Sequence, residues 1–477
     1  MPFVDRESEL RTLSEAFATD QPHLIVVTGR RRVGKSHLID EFLRQQGAAV
    51  GFRFLARKGA GIPQMAMFSQ RLAEHFQDDV LARQPFANYD ALFTYVAGKA
   101  ASKRFVLAID EFPYLVEENK ALPSILQHYW DDRFSKTKLF LILCGSSMGL
   151  MGRLFSGRAP LYGRRTRQIF LRPFAFADCA PLFSDRLETA VRAYAAFGGS
   201  AAYAMSYDRR LSFDQNLERT IFFPSHFMFA DVDAVLREEV REPRLYFSLL
   251  EAIADGRATL RDICGATGVP GPIAAKYLER LEERLRLVSR EVPVTARKER
   301  SREGRYKIDD PYVRFWFRYV YPNVDRLERG ERRRVLERVV APTFDGFIGP
   351  VFEAVCSDLL RGLRDSGKSR VPDFDAIGRW WHQDQEIDLV GLDQARGAVM
   401  FCEVKWSRKR IGKEHLEVLQ KKASHVSWGK SDRGESYVFI SRGGFHPGAR
   451  RYARAHGIQL ITLDELDRMC SRAGILA

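Results

Sequence analysis

In the segment Gly29-Arg30-Arg31-Arg32-Val33-Gly34-Lys35-Ser36, glycine, lysine and serine fall at the spacing G-x-x-x-x-G-K-[ST], a pattern that suits phosphate binding. The glycines allow successive backbone N–H groups to curl around phosphate oxygens, and a following helix adds the positive end of its dipole. Lys35 is expected to reach the β- and γ-phosphates, and the Ser36 hydroxyl to ligate Mg²⁺. Arg30, Arg31, Arg32, Val33 and His37 complete the nucleotide-binding set around the loop. The chemistry implied is the binding of a nucleoside triphosphate, with ATP and Mg²⁺ as cofactors.

Further segments carry groups that hydrolysis needs. Phe105-Val106-Leu107-Ala108-Ile109-Asp110-Glu111 is an apolar run ending in two carboxylates. Asp110 is placed to hold Mg²⁺ through water and Glu111 to orient the attacking water; a helix cap is the competing use of such a pair. Leu139-Phe140-Leu141-Ile142-Leu143-Cys144 leads into Gly145-Ser146-Ser147. Ser146 and Ser147 serve there either as γ-phosphate sensors or as a helix cap. Leu161-Tyr162-Gly163-Arg164-Arg165-Thr166 supplies two guanidinium groups. Arg164 or Arg165 would neutralise transition-state charge, from the same subunit or a neighbour, or would serve as a surface or phosphate-backbone contact.

A second centre lies near the C-terminus. Asp388 sits in Glu386-Ile387-Asp388-Leu389-Val390, and Glu403 and Lys405 in Phe401-Cys402-Glu403-Val404-Lys405-Trp406. Alternation along a strand sends Glu403 and Lys405 to one face. With Asp388 facing the same way and Glu353 on an amphipathic helix, three carboxylates would hold Mg²⁺ against a phosphodiester, with Lys405 activating water or stabilising the oxyanion. A salt bridge on the sheet surface is the competing use.

These residues need strands and helices to place them. His23–Thr28 is a β-branched run before the glycine loop, and His37–Leu43 has helical periodicity after it. Short apolar strands at Leu24–Thr28, Gly51–Leu55, Phe105–Ile109 and Leu139–Cys144 alternate with helical stretches, the signature of a parallel sheet in a three-layer α/β domain. Short helices follow, broken at Gly198-Gly199 and Pro224. Leu245–Ala254, Leu260–Ala266 and Ile273–Leu287 then precede strand candidates at Val288–Val294 and Arg305–Ile308, the order of a winged helix-turn-helix. After an arginine-rich helical connector come an amphipathic helix, Phe347–Leu363, and strands at Ile387–Gly391, Val399–Trp406, Tyr437–Ser441 and Gln459–Thr462. The expected organisation is a multidomain α/β chain: P-loop ATPase core 1–172, helical lid 173–240, winged helix 241–322, connector 323–343 and a last α/β domain 344–477.

Composition narrows the partners. Of 477 residues, 75 are Lys or Arg against 61 Asp or Glu, so a net charge of +14 favours a polyanion, nucleic acid before membrane. Six scattered cysteines without C-x-x-C pairing fit a reducing cytoplasm. The opening residues lack a signal-peptide core, and the apolar runs look too short to span a bilayer. The stretch 296–307 gives a basic tip to the wing, suited either to DNA contact or to a solvated loop on a domain that only packs against the ATPase; Lys276 and Arg280 lie on the recognition helix. Arg408, Lys409, Arg410 and Lys413 follow the Glu-x-Lys strand and suit a nucleic-acid backbone better.

The chain resembles the archaeal-type P-loop ATPases, a STAND/AAA-related family. Its marks are Phe3-Val4-Asp5-Arg6-Glu7-x-Glu9-Leu10, the phosphate loop, Ile109-Asp110-Glu111-Phe112, Gly145-Ser146-Ser147, Leu161-Tyr162-Gly163-Arg164, Arg172-Pro173-Phe174 and Phe197-Gly198-Gly199. Ser200-Ala201-Ala202-Tyr203 departs from it where the family often carries proline. The resemblance implies that Arg6 and Glu7 lie near adenine. Glu353, Asp388 and Glu403-Val404-Lys405 resemble the PD-(D/E)xK core of the restriction-endonuclease-like fold. Phe352-Glu353, Trp380-Trp381 and Glu403-Val404-Lys405-Trp406 match the C-terminal domain that accompanies such ATPases, and Tyr306–Pro311 with Arg314–Phe317 resembles its winged-helix exit. Two functions follow: an ATPase coupled to a nucleic-acid-binding, Mg²⁺-dependent nuclease-like domain, or a nucleotide switch whose nuclease-like fold only binds, with a homo-oligomer or protein partner possible in either case.

Overall fold

A computed structural model describes residues 5–476 except 60, 241, 298–300, 302, 369–370 and 431. Phe3 and Val4 of the opening motif, and Lys298, Glu299, Arg300 and Arg302 of the basic wing tip, lie outside the described residues. The chain divides into two compact units, Met1–Arg172 and Pro173–Ala477.

The first unit is built on five parallel strands: β1 (His23–Thr28), β2 (Gly51–Leu55), β3 (Phe105–Asp110), β4 (Leu139–Gly145) and β5 (Arg167–Phe170), in the order β2-β3-β4-β1-β5. Strands buried on both faces need no polar alternation. Accordingly Leu24, Val26, Leu107, Ile109, Leu141 and Leu143 enter one core, while Ile25, Val27, Val106, Ala108, Phe140 and Ile142 enter the other. The order has a consequence for chemistry: β4 lies between β1, which ends in the glycine loop, and β3, which ends in Asp110. All three tips meet at the carboxyl edge of the sheet, beside the point where the strand order reverses, the usual ligand-binding crevice of such sheets.

The second unit opens with helices from Phe176 to Glu239. Three helices, Pro243–Ala254, Leu260–Thr267 and Gly271–Glu283, then precede an antiparallel hairpin of β6 (Val288–Glu291) and β7 (Arg305–Ile308). The connector expected as one helix is broken: Gly330 takes a left-handed φ of 83° between Val324–Glu328 and Arg332–Val335. Four of its six arginines are paired locally, Arg326, Arg329 and Arg334 on Glu331 and Arg333 on Glu337. A mixed sheet closes the unit: β8 (Ala376–His382), β9 (Gln385–Asp393), β10 (Ala398–Lys405), β11 (Gly434–Ser441) and β12 (Ile458–Thr462), in the order β12-β11-β10-β9-β8. β8, β9 and β10 run antiparallel, and β11 and β12 run parallel to β10.

One described helical stretch, Arg332–Ser366, is long and apolar enough to cross a membrane by length and composition, against the expectation that no run was long enough. Its apolar stripe is a core face here: Phe344, Phe347, Ile348, Phe352, Val355, Leu359 and Leu363 are all buried within the protein.

Three of the motif segments meet in this unit. The Phe174 amide donates to the Gly199 carbonyl at 2.7 Å, and a Cβ on Gly199 would lie 2.1 Å from the Phe174 carbonyl oxygen. Gly198, at φ 65°, leaves room for the buried Asp310 carboxylate, which accepts from the Tyr312 amide at 3.0 Å and caps the helix Pro311–Phe315. The double glycine is thus a close-approach point of two backbones. Gly199→Ala must displace Phe174, an overpacking cost of about 1–3 kcal/mol. A lowered transition temperature in a calorimetric scan is the expected result, and an unchanged one would show that this contact relaxes freely.

Candidate functional sites

Each unit carries a cluster of charged side chains at strand tips. In the first, the loop after β1 turns through left-handed φ values of 70° at Arg32 and 95° at Gly34, and the helix Lys35–Gln46 begins immediately after. The Lys35 ammonium is buried and donates to the Gly29 and Arg30 carbonyls at 2.9 Å each. Burial pushes its pKa down, and Asp110 and Glu111 among its neighbours oppose that shift. A Cβ on Gly29 would meet the Leu171 carbonyl oxygen at 2.5 Å, which explains glycine at the loop's start. Arg31 donates to the Tyr114 hydroxyl at 2.8 Å. Val33 is buried under the loop, and His37 is exposed on the first turn of the helix.

Asp110 ends β3 on the same edge. Its Oδ2 accepts from the Ser36 hydroxyl at 2.6 Å and from the Arg53 guanidinium at 3.0 Å. Arg53 is also held by both Asp40 oxygens, at 2.7 and 2.9 Å, and the Asp40 hydrogen bonds hold its pKa up. Glu111 adopts a left-handed φ of 52° and makes no side-chain cap, so it is free of the helix-cap role. Its Oε2 accepts from the Ser146 hydroxyl at 2.9 Å and from the Ser146 amide at 3.3 Å. Ser146, at the end of the intervening strand, therefore joins the cluster. Ser147 occupies the N-cap position of Met148–Leu154 without a side-chain cap bond.

One expectation needs correction. Arg164 is tied bidentately to Asp131, at 2.8 and 2.7 Å, and donates to the Pro160 and Tyr162 carbonyls. The next residue but one, Thr166, donates its amide to Leu24 near the start of β1. Arg164 and Arg165 therefore lie by the amino edge of the sheet, about four strand residues or roughly 13 Å from the glycine loop, and cannot act on a phosphate in their own subunit. Arg6 is buried beneath the loop, donating to the Val33 carbonyl at 3.1 Å and the Arg172 carbonyl at 2.7 Å, and it braces backbone. Glu7 is exposed on the first turn of its helix.

In the second unit, Asp388 on β9 and Glu403 on β10 converge on Lys405. The Lys405 ammonium lies 3.1 Å from Asp388 Oδ2 and 2.8 Å from Glu403 Oε1, and the Val404 amide donates to Asp388 at 2.8 Å. Alternation does bring Glu403 and Lys405 to one face, as the strand pattern predicts. Lys422, from the helix Lys413–Ala423, donates to the same Glu403 oxygen at 3.1 Å. Glu353 faces Arg379 of β8 at 3.5 Å. Burial, then the charge of Asp388, push the Glu353 pKa up to about 8; burial, then Glu403, push Asp388 up as well. The Asp388 and Glu403 charges hold Lys405 above its ordinary value despite its burial.

The three-carboxylate cage expected of Glu353, Asp388 and Glu403 is not preformed: among the described residues no group of three His, Cys, Asp or Glu side chains is disposed to hold a metal ion. The physical reason is occupancy by cations, since Lys405 sits between two of the acids and Arg379 faces the third. Oε2 of Glu353 and Oε2 of Glu403 are nevertheless buried without a hydrogen-bond partner, which leaves acceptor capacity for a hard cation. Arg408, Lys409, Arg410 and Lys413 are exposed beyond the end of β10.

The hairpin β6–β7 is pinned to this sheet. Arg305 pairs with Glu386 at 2.7 Å and lies 4.5 Å over the Trp381 ring, and the Val294 amide donates to the Arg379 carbonyl at 2.9 Å, while Lys307 pairs with Glu291 within the hairpin. Part of the basic stretch 296–307 is thus used in packing, while Lys276 on the preceding helix stays exposed. Sequence reasoning missed Arg53, Lys422 and Arg379. Arg53 did leave a signal, as the lone charge in Gly51–Leu55; Lys422 and Arg379 come from elements whose register only the fold fixes.

Comparisons with known proteins agree with this picture of the first unit. Residues 3–201 match an ATPase domain predominantly from Archaea, and residues 316–421 match a domain described as archaeal and bacterial proteins of unknown function. The chain is 31% identical over 447 residues to the uncharacterized protein MJECL04 of Methanocaldococcus jannaschii, covering 92% of this chain and 95% of that one. A second protein of that organism, MJ0424, is 41% identical over 69 residues, 14% of this chain and 67% of that protein. Among solved structures, the Walker-type ATPase PABY2304 of Pyrococcus abyssi shares the fold with a TM-score of 0.50 at 22% identity, over 66% of this chain and 96% of that chain. The parallel sheet with its glycine loop is an ATP-binding ATPase domain, and the chain belongs to the family of MJECL04, in which an archaeal-type ATPase domain is joined to this C-terminal domain.

Proposed function

We propose that the first unit hydrolyses Mg²⁺·ATP to control a second unit made of a winged helix and a PD-(D/E)xK nuclease-like domain, which binds DNA and cleaves it with Mg²⁺. In the first unit, Lys35 would exchange its two loop carbonyls for the β- and γ-phosphate oxygens. Ser36 and Asp110 would ligate Mg²⁺, and Glu111 would orient water once released from Ser146. Arg164 or Arg165 would serve only from a neighbouring subunit. The composition favours a cytoplasmic setting.

The observation that carries the nuclease reading is the convergence of Asp388, Glu403 and Lys405 from adjacent strands, with a buried Glu403 oxygen lacking a hydrogen-bond partner. A salt bridge formed only for stability would leave no such orphan, because an unmet buried acceptor costs about 1–3 kcal/mol. Asp388 and Glu403, with Glu353, fit Mg²⁺ by donor chemistry, and the ion would supply polarisation of the scissile phosphodiester. Lys405 would steady the developing oxyanion, and Arg408, Lys409, Arg410 and Lys413 would hold the backbone. The switch reading has its own support: the three acids are already matched by Lys405, Lys422 and Arg379, as a domain that only binds would have them.

Lys35→Ala is expected to abolish tight ATP binding by calorimetry, and Glu111→Gln to preserve binding while slowing hydrolysis by about a hundredfold or more, the scale of general-base effects. Unchanged affinity in the lysine variant would remove the loop from nucleotide binding. In the second unit, Asp388→Ala is expected to eliminate Mg²⁺-dependent degradation of DNA and to leave ATP turnover at the wild-type rate. DNA binding without cleavage by the wild-type protein would select the switch.

A further inference from the structure

Three carboxylates, Asp388, Glu403 and Glu353, meet three cations, Lys405, Lys422 and Arg379, within ion-pair distance. Arg379 is shared with Glu386, which Arg305 also pairs, so each acid has a cationic partner before any metal arrives. A divalent cation approaching alone finds the acids already matched. It must also displace or oppose two ammonium groups that share one oxygen of Glu403, at 2.8 and 3.1 Å. The members differ in access. The Asp388 and Glu403 side chains are 10% and 8% exposed, whereas Lys405 and Lys422 are 35% and 20% exposed. An incoming anion meets the lysines first, and the carboxylates lie behind them.

We propose that this site binds a divalent cation and a DNA phosphodiester as a thermodynamically coupled pair, and that Lys422 is the positioning residue responsible for the coupling. The proposal rests on the nuclease-like reading of the site and adds its regulation. A backbone phosphate draws Lys422 and Lys405 outward by charge, freeing Glu403 Oε1. Together with Glu403 Oε2, which is buried and without a hydrogen-bond partner, this makes a carboxylate available to the cation. The cation in turn neutralises the acids that would otherwise compete with the phosphate for the lysines. By linkage each ligand must raise the affinity of the other by the same factor. Lys405 belongs to the Glu-x-Lys strand; Lys422 comes from a separate helix, and its contribution is to keep the cation out until a polyanion is present.

The test uses the full chain without nucleotide and Mn²⁺ as the probe, bound Mn²⁺ being read by electron paramagnetic resonance with and without a phosphorothioate DNA duplex. The Asp388→Asn variant subtracts Mn²⁺ held at Ser36 and Asp110. In the wild type, the duplex is expected to tighten the Asp388-dependent Mn²⁺ site by about fivefold or more, the lower range of measured coupling. Lys422→Gln is expected to bind Mn²⁺ more tightly in the absence of DNA and to lose most of the enhancement, while Lys422→Arg, which keeps the charge, retains it. Equal Mn²⁺ affinity with and without duplex in the wild type, or full enhancement in Lys422→Gln, overturns the proposal. Coupling in a protein that cleaves no DNA supports it and overturns the nuclease reading alone. No Asp388-dependent Mn²⁺ under either condition overturns both.

Discussion

A carboxylate buried on an apolar strand has to be matched by a cation or a donor, and both units are organised around that requirement. Asp110 is 1% exposed and Asp388 is 7% exposed. Leaving such charges alone in a low-dielectric interior would be prohibitive. Arg53 and Ser36 answer for Asp110, and Lys405 with the Val404 amide answers for Asp388. The partners are the same groups that the proposed Mg²⁺ chemistry would use or rearrange.

The solution in the first unit depends on strand order. With β4 between β1 and β3, Ser146 stands between the glycine loop and Glu111, and its hydroxyl holds the Glu111 carboxylate. A sheet with β1 and β3 adjacent would bring Asp110 to the loop but leave Glu111 without that neighbour. The left-handed backbone at Glu111 follows from the same geometry: the chain leaves β3 and must start a helix at once, and the strained turn aims the side chain along the sheet edge.

Much of this was legible in sequence, for physical reasons. The glycine loop, the apolar runs of β1 to β4 and the Glu-x-Lys alternation are local patterns, and local patterns survive folding. β5 was not legible, because Arg167–Phe170 is a short edge strand with two exposed residues in its pattern. β8 was hidden by its register shift between Gly378 and Trp380, which disturbs alternation. The roles of Arg53, Arg379 and Lys422 depend on long-range register and could not be read from spacing. Arg164 shows the converse. Its type and neighbourhood suit a phosphate, but the parallel pairing of β5 with β1 carries it to the wrong edge of the sheet.

The same distinction decides where the positive charge of the chain can act. Arg305, Lys307 and Arg379 are committed to Glu386, Glu291 and Glu353, and four connector arginines, Arg326, Arg329, Arg333 and Arg334, to Glu331 and Glu337. A guanidinium already paired inside the protein gains little from a phosphate, because one ion pair is exchanged for another. The exposed Arg408, Lys409 and Arg410 are different: they follow directly on the strand that ends in Lys405, and solvent is what a phosphate backbone would displace from them, whereas Lys413 already faces Glu417 at 3.7 Å. Net charge alone pointed to the wing as readily as to this edge. Counting which cations are already matched moves the argument to the sheet that carries Asp388 and Glu403.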